Sequence, residues 1–169
     1  MNEKIEKMIN DQMNFEFYSA YIYKAMGAYC DSIDLPGFAN WLNVQFDEEK
    51  FHSEKMYNFL LERRGRPFYT QVDAPPKDWD SVKAVFEHAF EHEQIVTGRI
   101  NKIMTAAIEA HDHATVSFLN WYVDEQVEEE ANVDAIIKRL GMIKGSGEGL
   151  FMMDKDLAAR TFTPPAAEE

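Results

Sequence analysis

The sequence predicts an all-α protein: a four-helix bundle with one long crossover connection and a short fifth C-terminal helix. Three observations carry this expectation. Four stretches of roughly 27 to 31 residues repeat apolar side chains at three- and four-residue steps. The connection after the second stretch is about 15 residues, where 2 to 8 are usual, and this lets the chain cross the bundle so that the second and third helices run parallel. A glycine-rich break then precedes a short amphipathic piece near the C-terminus.

The first helix is expected from Glu3 to Asp31, with a buried stripe of Ile5, Ile9, Met13, Glu16, Ala20, Tyr23 and Gly27. Its other faces carry Phe15, Phe17, Tyr21 and Ile22, more apolar surface than one solvated face needs, which points to contact with another subunit. Asp34 is the expected N-cap of the second helix and Pro36 suits its first turn. That helix runs to about Arg64, with Gly65 as its stop and Pro67 behind it. Its stripe is Phe38, Leu42, Phe46, Met56 and Leu60, with Glu49 on the centre line and His52 one turn further on.

Asp80 is the expected cap of a third helix, from Ser81 to His111, with the stripe Val82, Phe86, Ala89, Glu93, Thr97, Ile100, Met104 and Ala107. After Asp112-His113 the fourth runs to Leu140, with Gly141 as its stop and the stripe Phe118, Tyr122, Gln126, Glu129, Val133, Ile136 and Leu140. Gly145-Ser146-Gly147 separates it from a fifth helical piece, Glu148 to Arg160, with apolar Leu150, Phe151, Met153, Leu157 and Ala158. One domain over 1–162 is expected, with a disordered tail over 163–169.

A formal net charge of -13 argues against a nucleic-acid-binding surface and suits a protein that attracts cations. The single cysteine, Cys30, excludes an internal disulfide framework and fits a reducing cytoplasm. Met1-Asn2-Glu3-Lys4-Ile5-Glu6 mixes charges where a signal peptide has an apolar run, and no stretch approaches the roughly 20 apolar residues of a membrane span.

Each long helix thus carries a glutamate on its buried face near its midpoint, and in an antiparallel bundle the midpoints share one level. Glu16, Glu49, Glu93 and Glu129 should converge there, joined by His52 and Gln126. Buried carboxylates need a positive partner, since desolvation costs several kcal/mol per ion. A cluster of carboxylate oxygens with one imidazole suits iron or manganese, and four carboxylates balance two divalent cations. Glu48, Glu125 and Glu128 lie at the stripe edge, as either a solvated acidic face or a further metal position. His88, His92, His111 and His113 have no partners at ligand spacing and are expected at the surface.

With these residues in place, the chain resembles a bacterial non-haem ferritin over nearly its whole length. The resemblance rests on Glu16, Glu49-Lys50-Phe51-His52, Glu93, Gln126-Val127-Glu128-Glu129, the long connection and the short fifth helix. It implies a ferroxidase that gathers two Fe(II) ions within one subunit. Glu16, Glu49 and His52 would form the first position and Glu49, Glu93 and Glu129 the second, with Gln126 beside it. It further implies a third, inner iron position at Glu48, Glu125 and Glu128, and a redox role for Tyr23 or Trp121. Dioxygen or peroxide would be the oxidant, and Fe(III) would be stored as mineral in a shell of 24 identical subunits. No haem is expected, because Lys50 stands where a bacterioferritin has its haem-ligating methionine. The second reading is an oxidase or peroxide-detoxifying enzyme of the same fold without storage. Many ferritins line their three-fold pores with carboxylates; counting back from Gln126 places Val116 and Leu119 there, so an apolar constriction and a different entry path are expected.

Overall fold

The computed structural model describes residues 1–164 and contains five helices: α1 (Glu3–Ser32), α2 (Pro36–Glu62), α3 (Val82–Glu109), α4 (His113–Ile143) and α5 (Gly147–Leu157). Most of the tail expected to be disordered, residues 165–169, lies outside the described residues. α1 packs on α2 and α3, α3 on α4, and α5 on α2 and α4.

The apolar core falls into two halves. One gathers the end of α1 (Tyr23, Met26), the start of α2 (Phe38, Leu42), the start of α3 (Phe86, Ala89) and the end of α4 (Val133, Ile136). The other joins Ile5 and Ile9 to Met56, Leu60, Ile100 and Leu119. These pairings make α2 and α3 parallel to each other and antiparallel to α1 and α4. Between the halves lies a layer of buried polar side chains, Glu16, Glu49, His52, Glu93, Gln126 and Glu129, at the level the helix midpoints predict.

The crossover, residues 63–81, has no regular structure of its own and is laid along α1. Glu6 accepts from the Arg66 N–H, Asn10 from Phe68 and Asn14 from Thr70, at 2.9, 3.0 and 2.8 Å. Asn10 and Asn14 also donate to the Arg66 and Phe68 carbonyls. The spacing matches because four helical residues rise ~6 Å, close to two residues of extended chain. Further on, the Tyr29 hydroxyl donates to the Trp79 carbonyl. The long connection is therefore held to α1 over residues 66–70 and again at Trp79.

Several helix ends differ from the sequence expectation. Asp34 sits at φ 58° and does not cap α2. That role falls to Asp154 of α5, whose Oδ1 accepts from the N–H groups of Gly37 and Phe38 at 2.8 and 3.0 Å. Arg64, at φ 59°, turns the chain out of α2 in place of Gly65. Ser81, not Asp80, caps α3 by accepting from Ala84 N–H. α4 runs through Gly141, since an interior glycine costs a helix only ~1 kcal/mol; the chain turns at Lys144 and Gly145, both at positive φ.

Three side chains also differ. Ile22 is buried and belongs to the core. Leu119 is fully buried in the same apolar cluster as Ile5, Ile9 and Leu60, so it has no surface to offer a pore. His92 is buried, not superficial: its Nε2 lies 2.7 Å from Ser19 Oγ, its ring stacks on Phe15, and burial lowers its pKa to about 4. Among the described residues no helix is long and apolar enough to cross a membrane.

α5 buries Met153 and Leu157 against the bundle and is tied down where Asn40 Nδ2 donates to the carbonyls of Leu157, Ala158 and Arg160. Its other face leaves Phe151 69% exposed, with Met152 beside it.

Candidate metal centre

Glu16, Glu49, Glu93 and Glu129, one from each long helix, are at most 3% exposed. Among the described residues, no lysine or arginine forms an ion pair with any of them. Glu16, Glu49 and His52 each offer a ligand atom within 4.8 Å of the others, with His52 Nδ1 3.6 Å from Glu49 Oε2. This is the trio expected to form the first position. His52 is held from both sides: its carbonyl accepts from the Tyr122 hydroxyl at 2.7 Å and Trp121 packs edge-on against its ring.

The expected second trio is less tightly drawn together. Glu93 Oε1 accepts from the Tyr23 hydroxyl at 2.5 Å and Oε2 from Gln126 Nε2 at 3.1 Å. Glu129 Oε2 accepts from Gln45 Nε2 at 2.8 Å, and Glu129 also forms a ligand-spaced group with His52 and Glu125. Thus Tyr23 and Gln126 both touch the centre, each through Glu93.

Burial dominates the electrostatics. It raises the carboxyls of Glu16, Glu93 and Glu129 to about 8, aided by the charge of Glu49 on Glu16 and Glu93 and by Glu93 on Glu129. Glu49 is driven well above the carboxylate range, first by burial and then by Glu129. Burial first, and repulsion between the neighbouring carboxylates second, favours the protonated forms of these groups when no cation is bound. Oε2 of Glu16 and Oε2 of Glu49 are buried and receive no N–H or hydroxyl donor from any other residue; their one hydrogen-bonding neighbour is each other's carboxyl. Buried acceptors without such a donor are rare, and here both belong to the trio at ligand spacing. The donor set of Glu16, Glu49 and His52 fits a divalent cation.

Glu48 and Glu125 line one cavity of about 240 Å³ with His52, Trp121 and Phe162, on the far side of the imidazole. Glu48 is paired there with Arg160, whose guanidinium lies 4.1 Å from the Trp41 ring centroid. Glu128 is exposed and does not line this cavity. Of the three acids at the stripe edge, the fold brings two together.

Two residues in contact with the centre were not singled out from the sequence. Gln12 Nε2 donates to Glu16 Oε1 at 2.8 Å, and Gln45 Nε2 to Glu49 Oε1 at 3.3 Å as well as to Glu129. The available signal was a repeated Gln-x-x-x-Glu, Gln12 to Glu16 and Gln45 to Glu49, which puts an amide one turn before each ligand.

Residues 6–143 match the model of the ferritin-like domain family. The chain is 40% identical over 162 residues to a bacterial non-heme ferritin of Staphylococcus saprophyticus, covering 96% of this chain and 97% of that one. It is also 40% identical to that of Staphylococcus aureus strain USA300, covering 96% and 98%. Among solved structures it superposes on an open-pore ferritin from the hyperthermophilic archaeon Archaeoglobus fulgidus with a TM-score of 0.94 at 46% identity, covering 95% of this chain and 99% of that one. A closed form of the Archaeoglobus ferritin engineered by site-directed mutagenesis gives a TM-score of 0.95 at 47% identity, with 96% and 99% covered. With the family model spanning all four long helices, and these relatives matched over nearly their full length, the chain belongs to the ferritin family.

Proposed function

We propose that this protein is an iron-storage ferroxidase: it takes up Fe(II) as substrate at the polar layer of the bundle, promotes its oxidation, and passes Fe(III) to a mineral inside a multi-subunit shell. The observation that carries this reading is the buried trio Glu16, Glu49 and His52 at ligand spacing, two of whose carboxyl oxygens receive no donor from another residue, in a layer where no lysine or arginine among the described residues forms an ion pair. Glu16, Glu49 and His52 hold the first ion; Glu49, Glu93 and Glu129 hold the second, with Glu49 shared. Two Fe(II) ions would give one electron each to dioxygen, which takes up two protons from solvent and leaves as hydrogen peroxide, or to hydrogen peroxide, which takes up two protons and leaves as two waters. The protein's part is to fix the two ions side by side, to release the carboxyl protons as the cations bind, and to keep the apolar core halves dry on either side.

Glu48 and Glu125, which line one cavity beside His52, are the acids that would receive iron onward from the centre, with Glu48 released from Arg160 to do so. The names of the relatives, bacterial non-heme ferritin, agree with storage in place of haem chemistry. Assembly, into 24 subunits by family pattern, is supported by apolar side chains left uncovered on one chain: Phe17, Tyr21 and Tyr69 on the α1–crossover face, and Met142, Phe151 and Met152 near α5.

Electron microscopy of the purified protein before and after aerobic loading with Fe(II) tests this function. Hollow particles that gain an electron-dense core support it. A stable monomer or dimer that oxidises iron and forms no core assigns the chain to the alternative, an oxidase of the same fold.

A further inference from the structure

We propose that Gln12 and Gln45 are positioning residues of the metal centre. Each donates its amide to one oxygen of a glutamate four residues ahead and leaves the other oxygen bare for the cation. The inference rests on the metal-centre reading above and deepens it.

The same device appears on two helices. Gln12 Nε2 engages Glu16 Oε1 at 2.8 Å, and Gln45 Nε2 engages Glu49 Oε1 at 3.3 Å. In both cases the amide takes one carboxyl oxygen, and the other oxygen is buried without an N–H or hydroxyl donor from any other residue. The last torsion of a glutamate is soft, so an unheld carboxylate would rotate between orientations. One donor on one oxygen fixes the plane and aims the second oxygen at the ion. A neutral amide does this without bringing a positive charge that would compete with the cation, as a lysine would. Both glutamines are fully buried, a placement that desolvates a primary amide and that the bonds from each NH₂ to the carboxyls help to offset.

Each amide's orientation is set by its surroundings. Arg99 Nε donates to Gln12 Oε1 at 2.6 Å, while Arg99 Nη2 donates to the Asp11 carbonyl at 2.9 Å and the guanidinium lies over Phe15. With its oxygen taken by Arg99, the Gln12 NH₂ must face Glu16. Gln45 has no donor on its oxygen, which is itself unpartnered. Its orientation comes from two acceptors, since it reaches Glu129 Oε2 at 2.8 Å as well as Glu49. The two glutamines therefore differ in reach. Gln12 holds a ligand of the first position only; Gln45 holds the shared ligand and one of the second.

That asymmetry is what the experiment reads. Zn(II), which takes no part in redox chemistry, is titrated calorimetrically into the assembled apo protein as parent, Gln12→Leu, Gln45→Leu and Arg99→Met, with thermal unfolding of each apo form alongside. Groups that orient a metal ligand are worth about 10-fold or more in affinity. Gln12→Leu should weaken one of two Zn(II) sites by about that factor and leave the other within about two-fold, whereas Gln45→Leu should weaken both. Arg99→Met, which removes no group touching a ligand, should weaken the same site as Gln12→Leu by a smaller factor. Affinities unchanged in Gln12→Leu and Gln45→Leu would overturn the proposal. So would equal losses at both sites in every variant that track a fall in apo stability, which would mark the glutamines as packing alone. A parent protein that binds no Zn(II) would instead overturn the metal-centre reading itself.

Discussion

The Tyr23 hydroxyl donates to Glu93 Oε1 across the bundle, tying α1 to α3 at the level of the metal centre. Burial and the nearby Glu93 raise the Tyr23 phenol well above its ordinary value, so it is a donor throughout the accessible pH range. In Tyr23→Phe, Glu93 loses a bond that lowers its pKa and keeps Gln126 as its one remaining side-chain donor. The variant should lose about 1 kcal/mol of apo stability, and the pH at which the second ion binds should move upward. Thermal unfolding and Zn(II) titrations at pH 6 and pH 8 check this; an unchanged pH dependence would detach Tyr23 from the centre.

The raised carboxyls set the pH dependence of the apo protein. Glu16, Glu93 and Glu129 hold protons up to about 8 when folded and titrate near 4.5 when unfolded, so between those values the folded state binds more protons. Their stabilising contribution is complete below the unfolded value and is lost as pH rises through the folded one. His92 acts oppositely: its pKa is lowered to about 4, so its contribution is present above 6.5 and is lost as pH falls. Above 6.5 the raised carboxyls give the larger change, and the buried Cys30 thiol acts in the same direction. The apo melting temperature should therefore fall from pH 6.5 to 8.5, and Zn(II) should remove the fall by taking the place of the protons. Calorimetric melts with and without Zn(II) make the comparison; an apo protein that gains stability over that range contradicts the electrostatics.

Gly37 marks where α5 meets α2. A Cβ there would lie 1.7 Å from the Asp154 carbonyl oxygen, in backbone that cannot swing aside. Gly37→Ala should push α5 off and cost roughly 1–3 kcal/mol, as overpacking does. Asp154→Ala, which removes only the cap, should cost about 1 kcal/mol. Hydrogen exchange is the direct probe, with faster exchange through Met153 and Leu157 expected in Gly37→Ala.

Substituting Glu48, Glu125 and Glu128 together by alanine should alter repeated turnover more than the first oxidation, because they lie beyond His52 and not within the first trio. Single- and multiple-turnover iron oxidation separate these. Identical recovery of the centre between additions would return the three acids to a solvated face.

The bundle and the polar layer were legible because both rest on helical periodicity, which places Glu16, Glu49, His52, Glu93, Gln126 and Glu129 on buried stripes whatever the exact helix ends. The caps were not. Asp34 is four residues before Phe38 and chemically suited to cap it, but the cap comes from Asp154, more than a hundred residues later, which no local pattern announces. His92 sits one position from the stripe centre and is buried because α1 lies against that flank, where Ser19 and Phe15 receive it. Leu119 was misplaced by counting residues to a pore, although its face belongs to the core. Gln12 and Gln45 were visible as a repeated spacing; what hid them was that glutamine on a buried face has no chemistry of its own until its acceptor is known.

On the proposed function, Glu49 joins both ions in one site. The most direct test is stopped-flow measurement of Fe(II) oxidation by dioxygen at two Fe(II) per chain, in parent, His52→Ala and Glu49→Ala, with helix content followed by circular dichroism. The fast phase should be lost in both variants and more completely in Glu49→Ala, with helix content unchanged, since removing a buried carboxyl without metal relieves repulsion. Oxidation in Glu49→Ala at the parent rate would contradict the account.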